Sequence, residues 1–432
     1  MLIQRDIIDE IEPFLRRKEY IAVVGPRQCG KTTLFEMIKS YLVESRGVPV
    51  NDVQLVTFED RRLLRQFEDD PVSFIESYRR EERRTLYLLL DEFQYTHDGG
   101  QKLKLVYDTV RDVKILVTGS SSLEIKAKVG SYMVGRMLTF KMYPFSFAEY
   151  LRAGHERYER IYRNEKTLLS GWLNGERIKM KSGADLFHED MTRLYERYCI
   201  WGGYPAVVLS RSEREKAKIL GDVYNSYVLK DIKGLLELDT ERSLFLLSQH
   251  LAVQIGNIIV YQTLGRVAEL NFRQLKQHLA VLNETYVCAG VPPFFSNRQK
   301  ELVKNPKIYF FDTGFRNFLM ENMGAIPKRP DGGALIENAV FIRLMQVKQE
   351  AERVHFWRTK AGAEVDFVLK KGTQVFPVEV KYSPYTETRV PRGMVSFITS
   401  FKPKRALVLT KDYWGMKKIS TTDVLFAPVY YL

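Results

Sequence analysis

Residues 25–32 read GPRQCGKT, the complete Walker A pattern of a phosphate-binding loop. An apolar run from Ile21 to Val24 precedes the loop, and a helix-like segment begins at Thr33. Glycine permits the torsion angles and the close approach with which backbone N–H groups surround phosphates, and a following helix adds the positive end of its dipole. The pattern therefore predicts a strand, a phosphate-binding loop and a helix, and hence nucleotide binding by an α/β domain.

The side chains of this loop have expected roles. Lys31 is placed to reach the β- and γ-phosphates of ATP, and the Thr32 hydroxyl to bind Mg²⁺. Cys29 fills a variable position of the motif and needs no chemical role. The residues expected to bind ATP are those of the loop and the first helical turn, with one serine further along the chain: Gly25, Pro26, Arg27, Gln28, Cys29, Gly30, Lys31, Thr32, Thr33 and Ser120.

The composition is that of a globular chain with a polyanionic partner. A length of 432 residues exceeds one ordinary core, so roughly two to four domains are expected. No apolar run reaches the roughly 18 residues of a membrane span, and a cytoplasmic protein without membrane contact is expected. Three scattered cysteines argue against a disulfide framework or a zinc site. The net charge of +13 favours nucleic acid over an anionic membrane surface as the partner.

A second nucleotide signature follows in residues 85–92, TLYLLLDE, an apolar strand that ends in two carboxylates. Asp91 is expected to hold Mg²⁺, and Glu92 to orient and polarise the attacking water. The alternative is a core strand that merely ends in two surface acids. An intact phosphate-binding loop upstream disfavours that alternative.

Two further segments are candidates for the same site. Residues 114–120, KILVTGS, predict a buried strand whose end lies beside the two Walker strands, so that Thr118 or Ser120 could sense the γ-phosphate. A solvated loop rich in serine and glycine is the alternative. Arg136 could supply positive charge to the transition state, in cis or from a neighbouring subunit, or could be an ordinary surface arginine.

The order of these motifs resembles a known family. The segments GPRQCGKTTL, LLLDEFQY, ILVTGSSS and VGRM, followed by YPFSFAE, are similar to the prokaryotic AAA-type ATPases that carry a C-terminal domain of uncharacterised family 4143. The resemblance covers the chain to its C-terminus and includes a helical connector around residues 224–231. It implies an ASCE-type P-loop sheet with the functional residues in their usual positions: Lys31, Thr32, Asp91 and Glu92, with Thr118 or Ser120 as sensor 1.

The middle of the chain predicts helices interrupted by a tight turn at residues 201–205, WGGYP. Residues 262–270 and 271–282 then read as helix, turn, helix. The spacing in the second helix predicts one apolar face, formed by Phe272, Leu275, Leu279 and Leu282. The solvent side keeps Arg273, Lys276 and Gln277, as in a winged-helix recognition helix that enters the major groove of DNA. Any amphipathic surface helix carries such a polar face, so a protein contact is the alternative. Residues 291–294 and 307–314 are expected to form the wing and a closing element.

The C-terminal part carries a candidate nuclease site. A turn at Lys371-Gly372 predicts a hairpin, and period-two geometry places Glu379 and Lys381 on one face of its second strand. With Asp366 on the neighbouring strand and Glu337 from the preceding helix, the arrangement resembles the PD-(D/E)XK nuclease core. Asp366 and Glu379 are the expected metal ligands, and Lys381 would steer or activate a water. The alternative is that these residues form paired salt bridges in a domain that binds DNA without cleaving it.

Together these patterns predict an α/β protein in four parts. The parts are an AAA-like P-loop ATPase domain (1–154), a helical connector (155–242), a winged-helix module (243–326) and a restriction-endonuclease-like α/β domain (327–432). The expected function is ATP hydrolysis with Mg²⁺ that regulates engagement of duplex or branched DNA, with metal-dependent cleavage as an added activity. One alternative is a nucleotide-dependent switch or scaffold that binds protein partners and has a silent nuclease-like domain. Another is a translocating motor, which would require a ring-shaped homo-oligomer.

Overall fold

A computed structural model describes residues 2–81, 84–119, 132–176, 183–225, 241–295 and 304–432. The chain divides into two compact units, Met1–Phe145 with Glu284–Tyr286 and Ser146–Asn283 with Val287–Leu432. The division into four functional domains stays a prediction.

The first unit is built on a five-stranded parallel sheet. Its strands are β1 (Tyr20–Val24), β2 (Val53–Thr57), β3 (Leu86–Asp91), β4 (Val113–Gly119) and β5 (Met137–Lys141). The strand order is β2-β3-β4-β1-β5. Every residue of β1 and β3 is buried, as expected for parallel strands covered on both faces. Because β4 pairs with both β1 and β3, the carboxyl ends of the strands that carry the two nucleotide motifs lie on either side of it.

Helices cover this sheet. They are α1 (Ile7–Ile11), α2 (Lys31–Ser40), α3 (Arg61–Asp69), α4 (Pro71–Glu76) and α5 (Gly99–Thr109), with 3-10 turns at Glu12–Phe14, Val50–Asp52 and Phe93–Tyr95 and a π turn at Tyr41–Ser45. The apolar face of α2 packs on the sheet through Leu34, Phe35 and Ile38, all of which are fully buried. Burial of this face fixes the direction of α2 relative to the sheet, and therefore the position of the loop that precedes it.

The second unit begins with a series of helices. They are α6 (Phe147–Gly154), α7 (Glu156–Asn174), α8 (His188–Trp201), α9 (Pro205–Leu209), α10 (Glu213–Tyr224), α11 (Glu241–Val253), α12 (Tyr261–Val267), α13 (Phe272–Glu284) and α14 (Thr313–Leu319). The predicted turn at 201–205 is present. Gly202 has φ +76°, and a Cβ there would lie 2.2 Å from the carboxylate of Asp312. Gly203 N donates to Asp312 Oδ2 at 2.7 Å, so the turn is fastened to the residue that caps α14.

Two sheets complete the second unit. A two-stranded antiparallel sheet joins β7 (Cys288–Val291) to β8 (Lys307–Phe310). The strands of the larger sheet are β6 (Gly183–Ala184), β9 (Arg353–Arg358), β10 (Glu364–Lys371), β11 (Gln374–Lys381), β12 (Arg405–Thr410), β13 (Tyr413–Ile419) and β14 (Thr422–Pro428). Their order is β6-β13-β14-β12-β11-β10-β9. The remaining helices are α15 (Gly332–Val347) and α16 (Arg392–Phe401), with 3-10 turns at Ile326–Lys328 and Val429–Tyr431.

The larger sheet is mixed. Strand β12 runs parallel to both of its neighbours, β11 and β14, whereas the pairs β9-β10, β10-β11 and β13-β14 are antiparallel. Methionine and aromatic side chains of α16 bury one face of it. Within the described part of the chain, no helix combines the length and the apolar character that crossing a bilayer demands.

Candidate functional site

The predicted phosphate-binding loop connects β1 to α2. The helix begins at Lys31, two residues earlier than the sequence suggested. Gly30 and Gln28 both have positive φ, +95° and +57°. A Cβ on Gly25 would lie 2.1 Å from the carbonyl oxygen of Met142, the residue after β5. Glycine is thus required at position 25 by a backbone contact and favoured at position 30 by its torsion angle.

Lys31 lies inside this loop. Its side chain is buried, and Nζ donates to the carbonyl oxygens of Gly25 at 3.1 Å and Pro26 at 2.8 Å. A buried ammonium needs such acceptors. The cation is therefore held at the centre of the loop, where phosphate oxygens can take the place of the two carbonyls.

The loop is anchored by an arginine that the sequence reasoning missed. Arg5 donates to the carbonyl oxygens of Cys29 at 2.7 Å and Tyr143 at 2.6 Å, and its guanidinium lies over the Phe145 ring. Arg5 thereby ties the loop to the segment that follows β5. Its local sequence shows only an amphipathic pattern, so no signal there identifies these long-range partners.

The carboxylate of Asp91, at the end of β3, is the meeting point of both nucleotide motifs. Its Oδ2 accepts a hydrogen bond from Thr32 Oγ1 at 2.6 Å. Its Oδ1 accepts hydrogen bonds from Thr118 Oγ1 and from Glu92 N, the latter at 3.0 Å. Thr118 therefore lies beside the Walker strands as predicted. The other sensor candidate, Ser120, lies outside the described residues.

Glu92 follows directly and is half-buried. Its backbone is left-handed, with φ +55°, and Glu92 N also lies 3.2 Å from Thr118 Oγ1. The Gln94 side-chain amide donates to Glu92 Oε2. Burial raises the pKa of Glu92, the Gln94 hydrogen bond opposes the rise, and the charge of Asp91 adds to it. A carboxylate with a raised pKa beside a second carboxylate can accept a proton from water.

Arg136 lies at the opposite end of the sheet. It precedes β5, its carbonyl oxygen accepts a hydrogen bond from Tyr20 N at the start of β1, and its Nε is 3.4 Å from Asp108 Oδ1. The five residues of β1 separate this end from the loop. At about 3.3 Å per residue the separation is about 16 Å. In this structure Arg136 therefore lies away from the loop, and a role for it, in cis or towards a neighbouring subunit, stays a prediction.

The two helices of the predicted helix-turn-helix are α12 and α13, and the two-stranded sheet β7-β8 follows them. Arg273, Lys276 and Gln277 are exposed, in agreement with the prediction. The burial of Phe272 was predicted wrongly. This side chain is 65% exposed and packs edge-on against Tyr261, because the first residue of α13 lies beyond the edge of the core that Leu275 enters.

The candidate nuclease residues of the hairpin face one another. The hairpin pairs Lys371 with Gln374 around Gly372, as predicted. Val380 N donates to Asp366 Oδ2 at 2.8 Å, and Lys381 Nζ lies 2.7 Å from Glu379 Oε1. Burial raises the pKa of Glu379 to about 8, and the charge of Asp366 adds to the rise while Lys381 opposes it.

Glu337 on α15 is held by residues that the sequence reasoning did not select. Lys307 Nζ lies 3.2 Å from Glu337 Oε1 and 2.5 Å from Glu364 Oε1. The Tyr309 hydroxyl donates to Glu337 Oε1. Burial raises the pKa of Glu337 to about 7, and Asp366 contributes to the rise. The one signal in the sequence was Lys307 itself, the first residue of an apolar strand. A buried lysine requires an acidic partner, so a lysine at this position points to a nearby carboxylate.

These contacts bear on the predicted metal site. Glu337, Asp366, Glu379 and Lys381 are brought to one region, as the sequence suggested. Across the described ranges of the chain, however, no three histidine, cysteine, aspartate or glutamate side chains are grouped so that they could hold a metal ion. Metal binding by Asp366 and Glu379 stays a prediction.

Three stretches of the chain match known protein families. Residues 17–151 match an AAA domain, which agrees with the geometry of the loop and of Asp91. Residues 192–325 match a domain of unknown function (DUF8612), and residues 332–430 match another (DUF4143). The first unit thus carries an AAA-type P-loop domain with the sheet expected for it, and the C-terminal family predicted from the sequence is present. A nuclease-like nature of that C-terminal domain is not confirmed.

Similar proteins align with nearly the whole chain. An uncharacterized protein of Haemophilus influenzae is 23% identical over 421 residues, which cover 94% of this chain and 93% of the relative. An uncharacterized protein of Mycobacterium tuberculosis is 23% identical over 434 residues, covering 99% and 84%. The similarity therefore extends over both compact units.

Solved structures with a related arrangement include a Walker-type ATPase of Pyrococcus abyssi, with a TM-score of 0.43 and 14% identity. The match covers 74% of this chain and 96% of that one. The ORC1 protein of Aeropyrum pernix, solved in complex with DNA, gives a TM-score of 0.31 and 11% identity, with coverage of 74% and 94%. Likenesses of this size say nothing about the substrate or partner of this chain.

Proposed function

We propose that the first unit binds ATP with Mg²⁺ in the loop 25–32 and hydrolyses it. The observation that carries the proposal is the convergence of Thr32, Thr118 and Glu92 on Asp91, next to the buried ammonium of Lys31. The ends of two strands, β3 and β4, and the start of one helix, α2, supply these groups. No requirement of folding alone explains why a lysine, two hydroxyls and two acids meet at one edge of the sheet.

The donor set fits Mg²⁺. A hydroxyl and a carboxylate oxygen, Thr32 Oγ1 and Asp91 Oδ2, lie side by side, and hard oxygen ligands are those that Mg²⁺ prefers. When bound, the ion neutralises charge on the phosphates. Lys31 exchanges its two carbonyl acceptors for phosphate oxygens, and the N-terminus of α2 adds its dipole.

Glu92 is the proposed general base. Its raised pKa favours proton uptake, and Gln94 fixes the orientation of its carboxylate. Thr118 holds Asp91 and approaches Glu92 N, so it links the two acids. A change in the γ-phosphate region can be transmitted along this link to β4.

The test is turnover of Mg·ATP by Lys31→Ala. We expect a loss of about 10²-fold or more, because a positive charge on the phosphates is removed. Lys39→Ala, on the same helix and half-buried, is the matched control and keeps the wild-type rate. Unchanged turnover in Lys31→Ala with intact folding would overturn the proposal.

We also propose that the second unit engages duplex or branched DNA through the exposed side of α13. Arg273, Lys276 and Gln277 lie on that side, and Phe272 is exposed beside them. Lys276 Nζ lies 3.8 Å from the centre of the Tyr261 ring, which holds the ammonium near the helix surface. The net charge of +13 favours a polyanion over a neutral partner.

The competing function is a nucleotide-dependent switch in which α13 binds a protein. Salt titration separates the two functions, because every side chain that binds a phosphate steepens the fall of log affinity with log salt by about 0.9. Arg273→Ala combined with Lys276→Ala should weaken DNA binding and flatten this slope. Arg214→Ala, on the exposed side of α10, is the control. An unchanged slope in the double variant favours the protein-binding switch.

Metal-dependent cleavage by the C-terminal domain is the alternative to a domain that only binds DNA. It is tested by incubating duplex, branched and single-stranded DNA with Mg²⁺ or Mn²⁺, comparing the wild type with Asp366→Ala and Lys381→Ala. Cleavage that both variants abolish supports a nuclease. DNA binding without cleavage supports a domain that grips DNA.

A further inference from the structure

Lys307 is the first residue of β8 and lies outside the stretch 332–430 that matches the C-terminal family. Its side chain is only 4% exposed, and its ammonium contacts two carboxylates, one on α15 and one on β10. Tyr309, on the same face of β8, donates to the carboxylate oxygen of Glu337 that also accepts from Lys307. Two side chains of β8 therefore enter the acidic cluster of the C-terminal domain.

The position of β8 is fixed by the helix that carries Glu337. Asn338 donates to Phe310 O at 2.8 Å and accepts from Phe310 N at 2.8 Å. This pair of hydrogen bonds makes Asn338 act as a strand partner for β8. These hydrogen bonds fix the backbone of β8, and they therefore keep the buried side chain of Lys307 at the cluster.

The cluster requires a cation. Asp366 and Glu379 are buried, Glu337 and Glu364 are partly buried beside them, and buried carboxylates need paired charge. Burial alone would lower the pKa of Lys307, but Glu337, Asp366 and Glu364 reverse the effect and raise it, so the ammonium keeps its charge. Lys381 balances Glu379 on the other side of the cluster.

We infer that Lys307 is the resident cation of this cluster and supplies the positive charge that a divalent metal ion would otherwise bring. One carboxylate oxygen of Glu337 and one of Glu364 are already bonded to Nζ, and an ion beside that ammonium would meet a like charge. The carboxylates therefore do not fit a metal while Lys307 is in place. Lys307, which lies outside the stretch 332–430, therefore decides the metal affinity of the C-terminal domain. This inference does not depend on the proposed ATPase and DNA-binding functions.

Calorimetric titration of the full chain with Mn²⁺, without nucleotide, tests the inference. Every protein carries Asp91→Asn, so that the phosphate-binding loop contributes no metal site. The parent should show no Mn²⁺ binding that depends on Asp366. Lys307→Met should gain one site, binding Mn²⁺ about tenfold or more tightly than any site of the parent. Adding Asp366→Asn to Lys307→Met should remove that site.

Two controls isolate the charge of Lys307. Lys304→Met removes an exposed lysine three residues earlier and should behave as the parent. Lys307→Arg keeps a cation and should also gain no site. If Lys307→Met does not fold without metal, Lys307→Gln replaces it, because glutamine retains a hydrogen-bond donor to Glu337. For that variant, gain of the Mn²⁺ site is measured as a higher thermal unfolding midpoint with Mn²⁺ than without it.

Two results overturn the inference. The first is tight Mn²⁺ binding by the parent that Asp366→Asn abolishes, since a metal would then share the cluster with Lys307. The second is a folded Lys307→Met or Lys307→Gln that binds Mn²⁺ no better than the parent.

Discussion

The Thr32 hydroxyl lies 2.6 Å from Asp91 Oδ2, although 59 positions separate the two residues in the sequence. Thr32 belongs to the first turn of α2, and Asp91 ends β3. Strand β4 lies between β3 and β1, so the contact exists only when the central three strands are assembled. The candidate magnesium site therefore forms only when the sheet folds.

Glu92→Gln should separate nucleotide binding from hydrolysis. The amide cannot take a proton from water, and loss of a general base costs about 10²- to 10⁴-fold in turnover. The dissociation constant for ATP should stay near the wild-type value, because Lys31 and the loop are untouched. Turnover and binding of a fluorescent ATP analogue measure the two effects. Glu36→Gln, exposed on α2, is the control, and equal loss of binding and turnover in Glu92→Gln would contradict the role.

Gln94→Ala should move the acidic limb of the pH–rate profile. The Gln94 hydrogen bond lowers the pKa of Glu92, opposing the rise caused by burial. Without that hydrogen bond the pKa rises further, and the base is protonated at a higher pH. Activity as a function of pH should therefore fall off at a higher pH in Gln94→Ala than in the wild type. Gln66→Ala, exposed on α3, should leave the limb unmoved, and a shift to lower pH in Gln94→Ala would refute the assignment.

Gly25→Ala should damage both the loop and the fold around it. A Cβ at this position would lie 2.1 Å from the carbonyl oxygen of Met142, a backbone atom that cannot swing aside. Overpacking of this kind costs about 1 to 3 kcal/mol. The measurements are the unfolding midpoint of the first unit and the dissociation constant for ATP. Gly333→Ala adds a methyl group where nothing lies within 4 Å, and it should leave both quantities unchanged.

The sequence predicted those parts of the fold that local patterns determine. The strand, loop and helix around Lys31 and the hairpin around Gly372 were predicted because glycine positions and apolar periodicity act over a few residues. Phe272 was placed wrongly in the core because periodicity assigns a face to a residue but cannot tell where the core ends. Its neighbour Leu275 continues the same pattern and is fully buried.

The residues that the sequence did not predict act over long distances. Arg5 contacts positions 24 and 138 residues away, and Lys307 contacts Glu337 thirty residues later. A single arginine or lysine at the edge of an apolar segment resembles many surface residues. Its partners become known only when the tertiary fold brings the acceptors together.

Asp312→Asn should remove a pH dependence from the stability of the second unit. Burial raises the pKa of Asp312 from 3.8 to about 6, against the hydrogen bonds from Phe315 N and Gly203 N, which lower it. The folded protein therefore keeps a proton that the unfolded chain releases at lower pH. The free energy of unfolding should fall as pH rises from about 4 to about 6, by about 3 kcal/mol at most, and then level off.

The asparagine variant loses an acceptor for Gly203 N, so its free energy of unfolding should be lower at every pH. The quantity that decides the prediction is therefore the slope of the free energy of unfolding against pH. Urea unfolding of the wild type and Asp312→Asn between pH 4 and 7 measures it. Glu350→Gln, exposed after α15, should keep the wild-type slope. Parallel slopes for the wild type and Asp312→Asn would show that Asp312 stays ionised across this range, with its carboxylate stabilised by the turn at Gly203 and the first turn of α14.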